Sequence, residues 1–429
     1  MRFALLVIDA DALRLVRALS RKNPSALVAV YDVDRPHDQL LKAAPFATWD
    51  DDWESLLSGT VAEAVIVGRQ PSDRRDDQLR KLAQAGIAML LVHPACDAIV
   101  GFELDMIRRD TGALLATYFP GSLHPALATL AGIAQSQVIS ATGAACPMGS
   151  VEQLAFERTM RERGRSEVSP QLARDVVLIW NILGEINKVS ALGPLPARSN
   201  SASADTAALA SVAAGDAPFA NLSVNMFGSS GILARWSVAP ADDHEAARLV
   251  LLGSQGKAVL EMPVGAQPWR LEIAGRDREA TVFEQWDDAE ATLAMFSKAV
   301  AGAAARPDWM TACRAKEIAE AAERSLARGR TIELYHEQHT EEGTFKGIMA
   351  VGGCALLALS FLVLLIGAVI GGFQLALDRG AAQPAEDQGR ERGTWSLLWR
   401  LWPVYPLAIF LLLQLLRFLF KKEPTTTAS

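Results

Sequence analysis

Three aspartates near the N-terminus stand where short apolar runs end, a position that suits ligand chemistry. Asp9 and Asp11 follow the apolar residues 3–8, and Asp32 follows the apolar residues 27–31. If these runs form parallel strands, a ligand would bind at their carboxyl ends. An acidic residue about 20 residues beyond the first strand-to-helix turn is the type that holds the ribose 2′-hydroxyl of a dinucleotide. Asp32 is therefore a candidate cofactor-binding residue, although an aspartate after a strand also commonly caps a turn.

The turn that would hold the pyrophosphate of such a cofactor lacks the usual glycines. Dinucleotide-binding turns carry the pattern G-x-G-x-x-G, which lets the backbone approach the phosphates. Residues 8–13 instead read IDADAL. Asp9 and Ala10 occupy the place of closest approach, so they are the candidate pyrophosphate contacts. The carboxylates of Asp9 and Asp11 suit a helix N-terminus, but they would repel a phosphate.

Charge and composition exclude several other classes of function. The chain has 429 residues with a formal net charge of −7, and its pI lies near 5.5. This balance argues against a general nucleic-acid binder, so no nucleic acid is expected as a partner. The four cysteines form no C-x-x-C pair and the six histidines no H-E-x-x-H motif. No metal site is therefore predicted.

The order of apolar and charged runs predicts two kinds of architecture before residue 336. Short apolar runs alternate with helical patterns up to about residue 118, which predicts a doubly wound parallel sheet. The charged residues 152–165 predict a helix, and Ser169 and Pro170 predict the start of another. Between residues 221 and 273, polar and apolar residues alternate. That alternation predicts an antiparallel sheet with one open face, which could cover a substrate or form a subunit interface.

Several segments together resemble one enzyme family. They are residues 90–94 (LLVHP), residues 174–175 (RD) with the following LGE at 183–185, residues 231–236 (GILARW) and residues 252–258 (LGSQGKA). In this order, over roughly residues 1–335, the chain resembles the Gfo/Idh/MocA oxidoreductases. The resemblance implies a Rossmann-like domain at 1–125 and an α+β domain with an open antiparallel sheet at 126–335. It also implies NAD or NADP as cofactor and a sugar-like substrate. Independently of the resemblance, the open sheet face predicted above could join copies of the chain in a homo-oligomer.

The resemblance also implies site residues, and here the sequence departs from the family. His93 stands where the family carries a catalytic lysine, and Pro94 keeps the proline that follows it at the cofactor site. A histidine can do acid–base work near neutral pH, although it can also be an ordinary loop residue. Arg174 and Asp175 stand where the family often carries a histidine. Asp175 is the second catalytic candidate, and the alternative is an acid favoured by the helix dipole.

The C-terminal part of the sequence predicts a membrane anchor. Residues 347–377 contain no Asp, Glu, Lys or Arg, and the helix they predict is longer than a bilayer core requires. The predicted parts are a linker at 336–346, a first transmembrane helix at 347–377, a loop at 378–396, a second helix at 397–420 and a tail at 421–429. Since the N-terminus does not resemble a secretory signal, we expect the preceding domains on the cytoplasmic side, held at membrane lipid.

Two functions remain open at this stage. One is a membrane-anchored, NAD(P)-dependent oxidoreductase acting on a sugar-like small molecule. The other is a catalytically inactive Rossmann-fold module, tethered to the membrane, that binds a ligand or assists assembly. The resemblance, Asp32 and His93 favour the oxidoreductase. The altered turn and the altered catalytic positions favour the inactive module.

Overall fold

The chain divides into two compact units, Met1–Tyr335 and His336–Ser429. The computed structural model describes residues 1–33, 38–69, 73–139, 148–193, 219, 221–241, 244–265, 267–275, 278–334, 361, 362, 365, 366 and 369. Among these residues, no helix is both long enough and apolar enough to cross a bilayer. The predicted linker, spans, loop and tail cover residues 336–429. Of these, only 361, 362, 365, 366 and 369 are described, and the rest lie outside the described residues.

A parallel sheet forms the N-terminal part of the first unit. Its strands are β1 (Phe3–Leu6), β2 (Leu27–Tyr31), β3 (Thr48–Asp50), β4 (Ala64–Val67), β5 (Ala88–Val92) and β6 (Leu115–Tyr118). Its helices are α1 (Ala10–Lys22), α2 (Asp38–Ala43), α3 (Asp73–Gln84), α4 (Ala98–Thr111) and α5 (Pro125–Ile139), with a 3₁₀-helix at Trp53–Ser58. The strand order is β3-β2-β1-β4-β5-β6, so the predicted Rossmann-like parallel sheet is confirmed. Every residue of β1, β4 and β6 is buried, as expected when both faces of a sheet are covered.

A larger sheet follows. Its strands are β7 (Val151–Met160), β8 (Ile186–Leu192), β9 (Leu222–Gly228), β10 (Leu233–Pro240), β11 (Ala246–Gly253), β12 (Gly256–Pro263), β13 (Trp269–Ala274), β14 (Arg278–Phe283) and β15 (Ile332–Glu333). The helices are α6 (Arg165–Leu183), α7 (Asp288–Val300) and α8 (Trp309–Arg328). The order is β14-β13-β12-β11-β7-β10-β9-β8-β15. Because β7 and β10 pair in parallel, the sheet is mixed, and the prediction of a purely antiparallel sheet is corrected in this respect.

Two local predictions in this region are wrong. The charged segment at 152–165 forms the central strand β7 instead of a helix. Its inward residues, such as Leu154 and Phe156, are buried. Glu157 lies on the open face of the sheet, whereas Arg158 lies on the covered face, where it pairs with Asp175. Helix α6 begins at Arg165, about one turn before the predicted start at Ser169, and Pro170 lies inside it. Helix α6 ends at Leu183, directly before Gly184.

The hydrophobic core does not separate the two sheets. One cluster of buried side chains contains Leu6 and Phe119 from the first sheet together with Phe156 and Trp236 from the second. Helix α7 packs on α1, and the ring centroids of Phe3 and Phe296 lie 6.1 Å apart. A helix from the second half of the chain thus completes the core of the first sheet. The predicted domain boundary between residues 125 and 126 stays a prediction.

Candidate functional site

The strand-to-helix turn after β1 is filled by a carboxylate of the chain itself. Asp9 is the N-cap of α1, and its Oδ1 accepts a hydrogen bond from the backbone N–H of Ala12 at 2.7 Å. Its Oδ2 accepts a second one from the backbone N–H of Arg69, just after β4, at 2.5 Å. Backbone N–H groups at a helix N-terminus are the groups that bind a cofactor's phosphate in this fold. Here Asp9 takes that role from within the chain.

The backbone of the turn nevertheless keeps the course of a dinucleotide-binding loop. Val7 has φ of 64°, a left-handed conformation that a β-branched residue rarely adopts and that the first glycine of the fingerprint supplies. At Gly68 a Cβ atom would lie 2.4 Å from the carbonyl oxygen of Val7, so only glycine fits where β4 ends. Counted from Val7, the second fingerprint position is Asp9 and the third is the buried Ala12. The loop shape is therefore present, and the space for the phosphates is not.

A second pair of charges crosses from this turn to α6. Arg174 donates from Nη2 to Oδ2 of Asp11 at 2.5 Å and from Nε to the carbonyl oxygen of His93 at 2.9 Å. The side chains of Asp11 and Arg174 are 10% and 13% exposed. Because both are mostly buried, the pair is shielded from solvent and holds α6 against the carboxyl ends of β1 and β5. We call this arrangement of Arg174, Asp11 and His93 the latch.

His93, a predicted catalytic residue, lies beneath the latch. It is 3% exposed, and its ring packs on Phe119 with centroids 4.6 Å apart. Among the described residues, its Nε2 atom has no hydrogen-bond partner. Burial lowers the pKa of the imidazole well below its ordinary value, and the charges of Arg174 and Lys316 lower it further. His93 is therefore neutral, and it does not line either of the two cavities described below.

Asp175, the other predicted catalytic residue, is 1% exposed and fully hydrogen-bonded. Arg158 binds both of its carboxylate oxygens, and Gln171 donates to Oδ1 at 2.9 Å. The indole N–H of Trp236 donates to Oδ2, also at 2.9 Å. The structure thus places Asp175 in a network that ties α6 to the mixed sheet. Its catalytic role, like that of His93, stays a prediction.

The predicted cofactor residues occupy the expected ends of the strands but have other partners. Asp32 has φ of 54° and accepts a hydrogen bond from Nε2 of Gln78 on α3 at 2.8 Å. Arg75, also on α3, lies 3.4 Å from the same carboxylate oxygen. Ala10 is the exposed first residue of α1, and Pro94 is buried after β5. The four predicted cofactor residues are Asp9, Ala10, Asp32 and Pro94. None of them lines either cavity, and their cofactor role is untested.

A dinucleotide does not fit the residues present at this turn. Its pyrophosphate would need the N–H groups that Asp9 already accepts from, beside a fixed negative charge. The latch joins Asp11 to α6 across the same end of β1. Within the part of the chain that is described, no cluster of three or more His, Cys, Asp or Glu residues could hold a metal ion. A ligand must therefore be sought elsewhere in the first unit.

A cleft of about 750 Å³ lies next to the latch. It is bounded by α1, α6, the loop after β6, the end of β12 and the segment between β14 and α7. The arginines of the cleft are largely engaged with other side chains. Arg158 pairs with Asp175, Arg21 with Asp287, and Arg17 with Gln39. The cleft is thus polar without a strong excess of either charge.

Aromatic rings form one wall of the cleft. His124 stacks on Trp269 with ring centroids 3.9 Å apart and 18° between the planes, and Trp286 meets His124 edge-on at 5.9 Å. Gly121 makes the stack possible, because a Cβ atom there would lie 2.8 Å from the Trp269 ring. The side chain of Trp286 is 40% exposed. The wall offers flat apolar faces to a ligand.

The same wall carries donors that the protein leaves unused. Nδ1 of His124 accepts from the backbone N–H of Ala126 at 3.2 Å, so the ring proton is on Nε2. Burial lowers the pKa of His124 to about 4, which keeps the ring neutral. Among the described residues, neither this N–H nor the indole N–H groups of Trp269 and Trp286 have a hydrogen-bond partner. These N–H groups are available to a molecule in the cleft, so the wall suits a ligand rich in acceptors.

The sequence interpretation missed the residues of this wall. His124 directly precedes a proline at a helix start, and Trp269 begins an alternating strand, so both resemble ordinary structural residues. They meet only because the loop after β6 packs against β13. Arg69 was also missed, although it follows β4 at the carboxyl edge where ligands bind in α/β sheets.

No family model and no curated protein sequence matches this chain. Solved structures do match it. A myo-inositol dehydrogenase from Corynebacterium glutamicum superimposes with a TM-score of 0.57 at 18% identity, over 78% of this chain and 99% of its own. The UDP-N-acetylglucosamine 3-dehydrogenase of Acidithiobacillus ferrooxidans superimposes with a TM-score of 0.58 at 18% identity, over 76% of this chain and 98% of its own. A mutant 3-ketoreductase from Actinomadura kijaniata, in complex with TDP-benzene and NADP, superimposes with a TM-score of 0.59 at 16% identity, over 76% of this chain and 98% of its own.

These similarities establish the fold. The neighbours are dehydrogenases and reductases of the Gfo/Idh/MocA type, and nearly the whole length of each is matched. The two-sheet architecture implied by the sequence resemblance is therefore confirmed. At identities below 20%, activity and ligand do not transfer with the fold.

Proposed function

We propose that this protein binds a sugar-like small molecule in the cleft and that it does so without a dinucleotide. The observation that carries the proposal is the position of Asp9, whose carboxylate accepts from the N–H groups of Ala12 and Arg69. A protein with this loop uses the Rossmann-like sheet as a scaffold. It then corresponds to the inactive binding module that the sequence left open.

The cleft supports the choice of a polyhydroxylated ligand. The apolar C–H face of a sugar or cyclitol ring packs on a flat aromatic ring, and its hydroxyl oxygens accept hydrogen bonds. Trp269 and His124 supply such a face, and their free N–H groups supply donors. Two solved structures with this fold, a myo-inositol dehydrogenase and a UDP-N-acetylglucosamine dehydrogenase, are named for ligands of this class.

Tryptophan fluorescence of the full chain tests the proposal. Titration with myo-inositol and with glucose should change the emission, because Trp269 and Trp286 line the cleft. Trp269→Ala should weaken binding by about tenfold or more, since an aromatic contact contributes on the order of 1–2 kcal/mol. Trp49→Ala is the matched control, because Trp49 lies on β3 outside the cleft. Equal affinity in the Trp269→Ala and Trp49→Ala variants would contradict the proposal.

An NAD(P)-dependent oxidoreductase is the second candidate. The left-handed backbone at Val7 and the acid at Asp32 favour it, as does the NADP bound to one neighbour of the same fold. This candidate requires NADH or NADPH to bind the wild-type chain and to lose affinity in Asp32→Ala. Without such binding, the two catalytic predictions at His93 and Asp175 have no cofactor to act with.

We also propose that the open face of the mixed sheet joins two copies of the chain. Val250 on β11 lies beside Ala155 on β7, and Arg248 and Glu157 form an ion pair at 3.7 Å on the same face. Light scattering after gel filtration should give the mass of a dimer for the wild type. Val250→Glu would place a charge at the centre of the face and should yield monomers. Unchanged mass in this variant would remove the interface from the proposal.

The location at a membrane is a proposal that rests on the sequence alone. Residues 347–377 and 397–420 would anchor the chain in lipid, with the first unit on the cytoplasmic side. After alkaline extraction of membranes, the full chain should stay in the pellet, and a chain ending at residue 335 should be released. Release of the full chain would contradict the anchor.

A further inference from the structure

A smaller cavity of about 450 Å³ adjoins the cleft. The two cavities share Gln171, Arg174 and Glu245 among their lining residues, so the smaller one is a side pocket of the larger. Its distinctive lining residue is Arg69, which follows β4 next to the filled turn. We call it the side pocket.

The guanidinium of Arg69 is partly buried and has no hydrogen bond or ion pair to another described residue. The nearest acids of the turn are engaged, since Asp9 accepts from two backbone N–H groups and Asp11 from Arg174. Burying guanidinium N–H groups that have no acceptor costs free energy. The guanidinium of Arg69 lines the side pocket, where a ligand could supply an acceptor.

Among the described residues, no side chain of the side pocket forms an ion pair with Arg69. Glu245 accepts from the backbone N–H of Arg161, and Glu162 and Glu167 are exposed, where solvent screens their charge. Burial lowers the pKa of Arg69 and the charge of nearby Arg174 lowers it further, while the charges of Asp11, Asp9 and Glu167 offset part of this shift. Two guanidinium groups held near each other in this way are typical of sites that bind oxyanions.

We infer that the side pocket binds an oxyanion, a carboxylate or a phosphate, carried by the ring that occupies the cleft. The ligand class is then narrowed to sugar acids or sugar phosphates. The ring part of this inference rests on the proposed function, whereas the anion site at Arg69 stands on its own contacts.

Inorganic phosphate probes the anion site by itself. Calorimetric titration of the full chain should show phosphate binding that weakens about 10- to 100-fold in Arg69→Gln, because hydrogen bonds to a charged group are lost. The exposed Arg324→Gln on α8 should leave phosphate affinity unchanged. Absence of phosphate binding, or equal binding in Arg69→Gln, would overturn the inference.

Comparison of glucose, glucuronate and glucose 6-phosphate identifies the anion and separates the two proposals. We expect one acidic ligand to bind more tightly than glucose, with the gain lost in Arg69→Gln. A tighter glucuronate identifies a carboxylate site, and a tighter glucose 6-phosphate identifies a phosphate site. If glucose binds through Trp269 and neither acid gains affinity, the anion site fails alone. If phosphate binds through Arg69 and all sugars are insensitive to Trp269→Ala, the cleft proposal fails alone.

Discussion

The turn after β1 and the aromatic wall of the cleft treat their polar groups in opposite ways. At the turn, Asp9 accepts from two backbone N–H groups and Asp11 accepts from Arg174, so the chain satisfies its own donors. At the wall, His124 and Trp269 keep N–H groups without a partner among the described residues. Under the proposed function, the fold's usual ligand site is structural and the neighbouring cleft binds the ligand.

The difference shows how few changes separate a cofactor site from a scaffold. The backbone course at Val7 and Gly68 is that of a dinucleotide loop. One carboxylate at Asp9 and one ion pair between Asp11 and Arg174 suffice to occupy it. The four predictions below test either side of this comparison, from the largest expected effect to the smallest.

Asp175 should be the most sensitive residue for stability. Asp175→Ala would leave Arg158 with a buried, unpaired charge and Trp236 without its acceptor. We expect the free energy of unfolding to fall by about 3–5 kcal/mol, measured by denaturant unfolding. A loss below about 1 kcal/mol would show that the network is not structural and would restore Asp175 as a candidate base.

The latch should behave as a coupled pair. Arg174→Ala and Asp11→Ala each remove one partner of a mostly buried ion pair. In a double-mutant cycle we expect a coupling energy of about 1–3 kcal/mol. Arg80→Ala with Glu103→Ala, an exposed pair between α3 and α4, is the control and should show about 0.5 kcal/mol or less. Equal coupling in both pairs would contradict the latch.

His124 should make stability depend on pH. Its pKa is about 4 in the folded protein and about 6.5 when unfolded, so the unfolded state binds more protons between these values. Stability should therefore fall as the pH drops from about 6.5 to about 4, by at most about 1.4 kcal/mol per pH unit from this group. The His124→Gln variant should show a shallower fall, since other groups such as His93 remain. Identical slopes in the two proteins would count against the neutral His124.

Asp9→Gly should have the smallest effect on stability. Replacement of a helix N-cap by glycine costs only about a few tenths of a kcal/mol. The variant should gain affinity for inorganic pyrophosphate, because the N–H groups of Ala12 and Arg69 lose their acceptor. Asp52→Gly, which removes the cap of the 3₁₀-helix, is the control and should gain none. No gain in Asp9→Gly would show that the carboxylate is not what closes the turn.

The sequence predicted the first sheet well because its signals are local. Alternating apolar runs and helical patterns reflect buried strands covered on both faces, and those strands form as expected. The repulsion between Asp9 and a phosphate could also be seen in the sequence. The strand β7 was misread because charged residues occur on both of its faces, Glu157 on the open face and Arg158 on the covered face, and they hide its period of two.

The candidate site was harder to predict because its contacts join distant parts of the chain. Arg69 meets Asp9 across 60 residues, and Arg174 meets Asp11 across 163. The stack of His124 on Trp269 depends on a glycine in one loop and a strand start far along the chain. Neither periodicity nor a short motif predicts contacts between residues so far apart in the sequence. The cleft and its side pocket can therefore be identified only from the folded structure.

Calorimetric titration of the full wild-type chain with NADH and NADPH tests the central claim most directly. Because Asp9 occupies the helix N-terminus that a pyrophosphate would need, we predict no binding of either cofactor at millimolar concentration. Binding with micromolar affinity to the unaltered chain would contradict the account and would restore the oxidoreductase function.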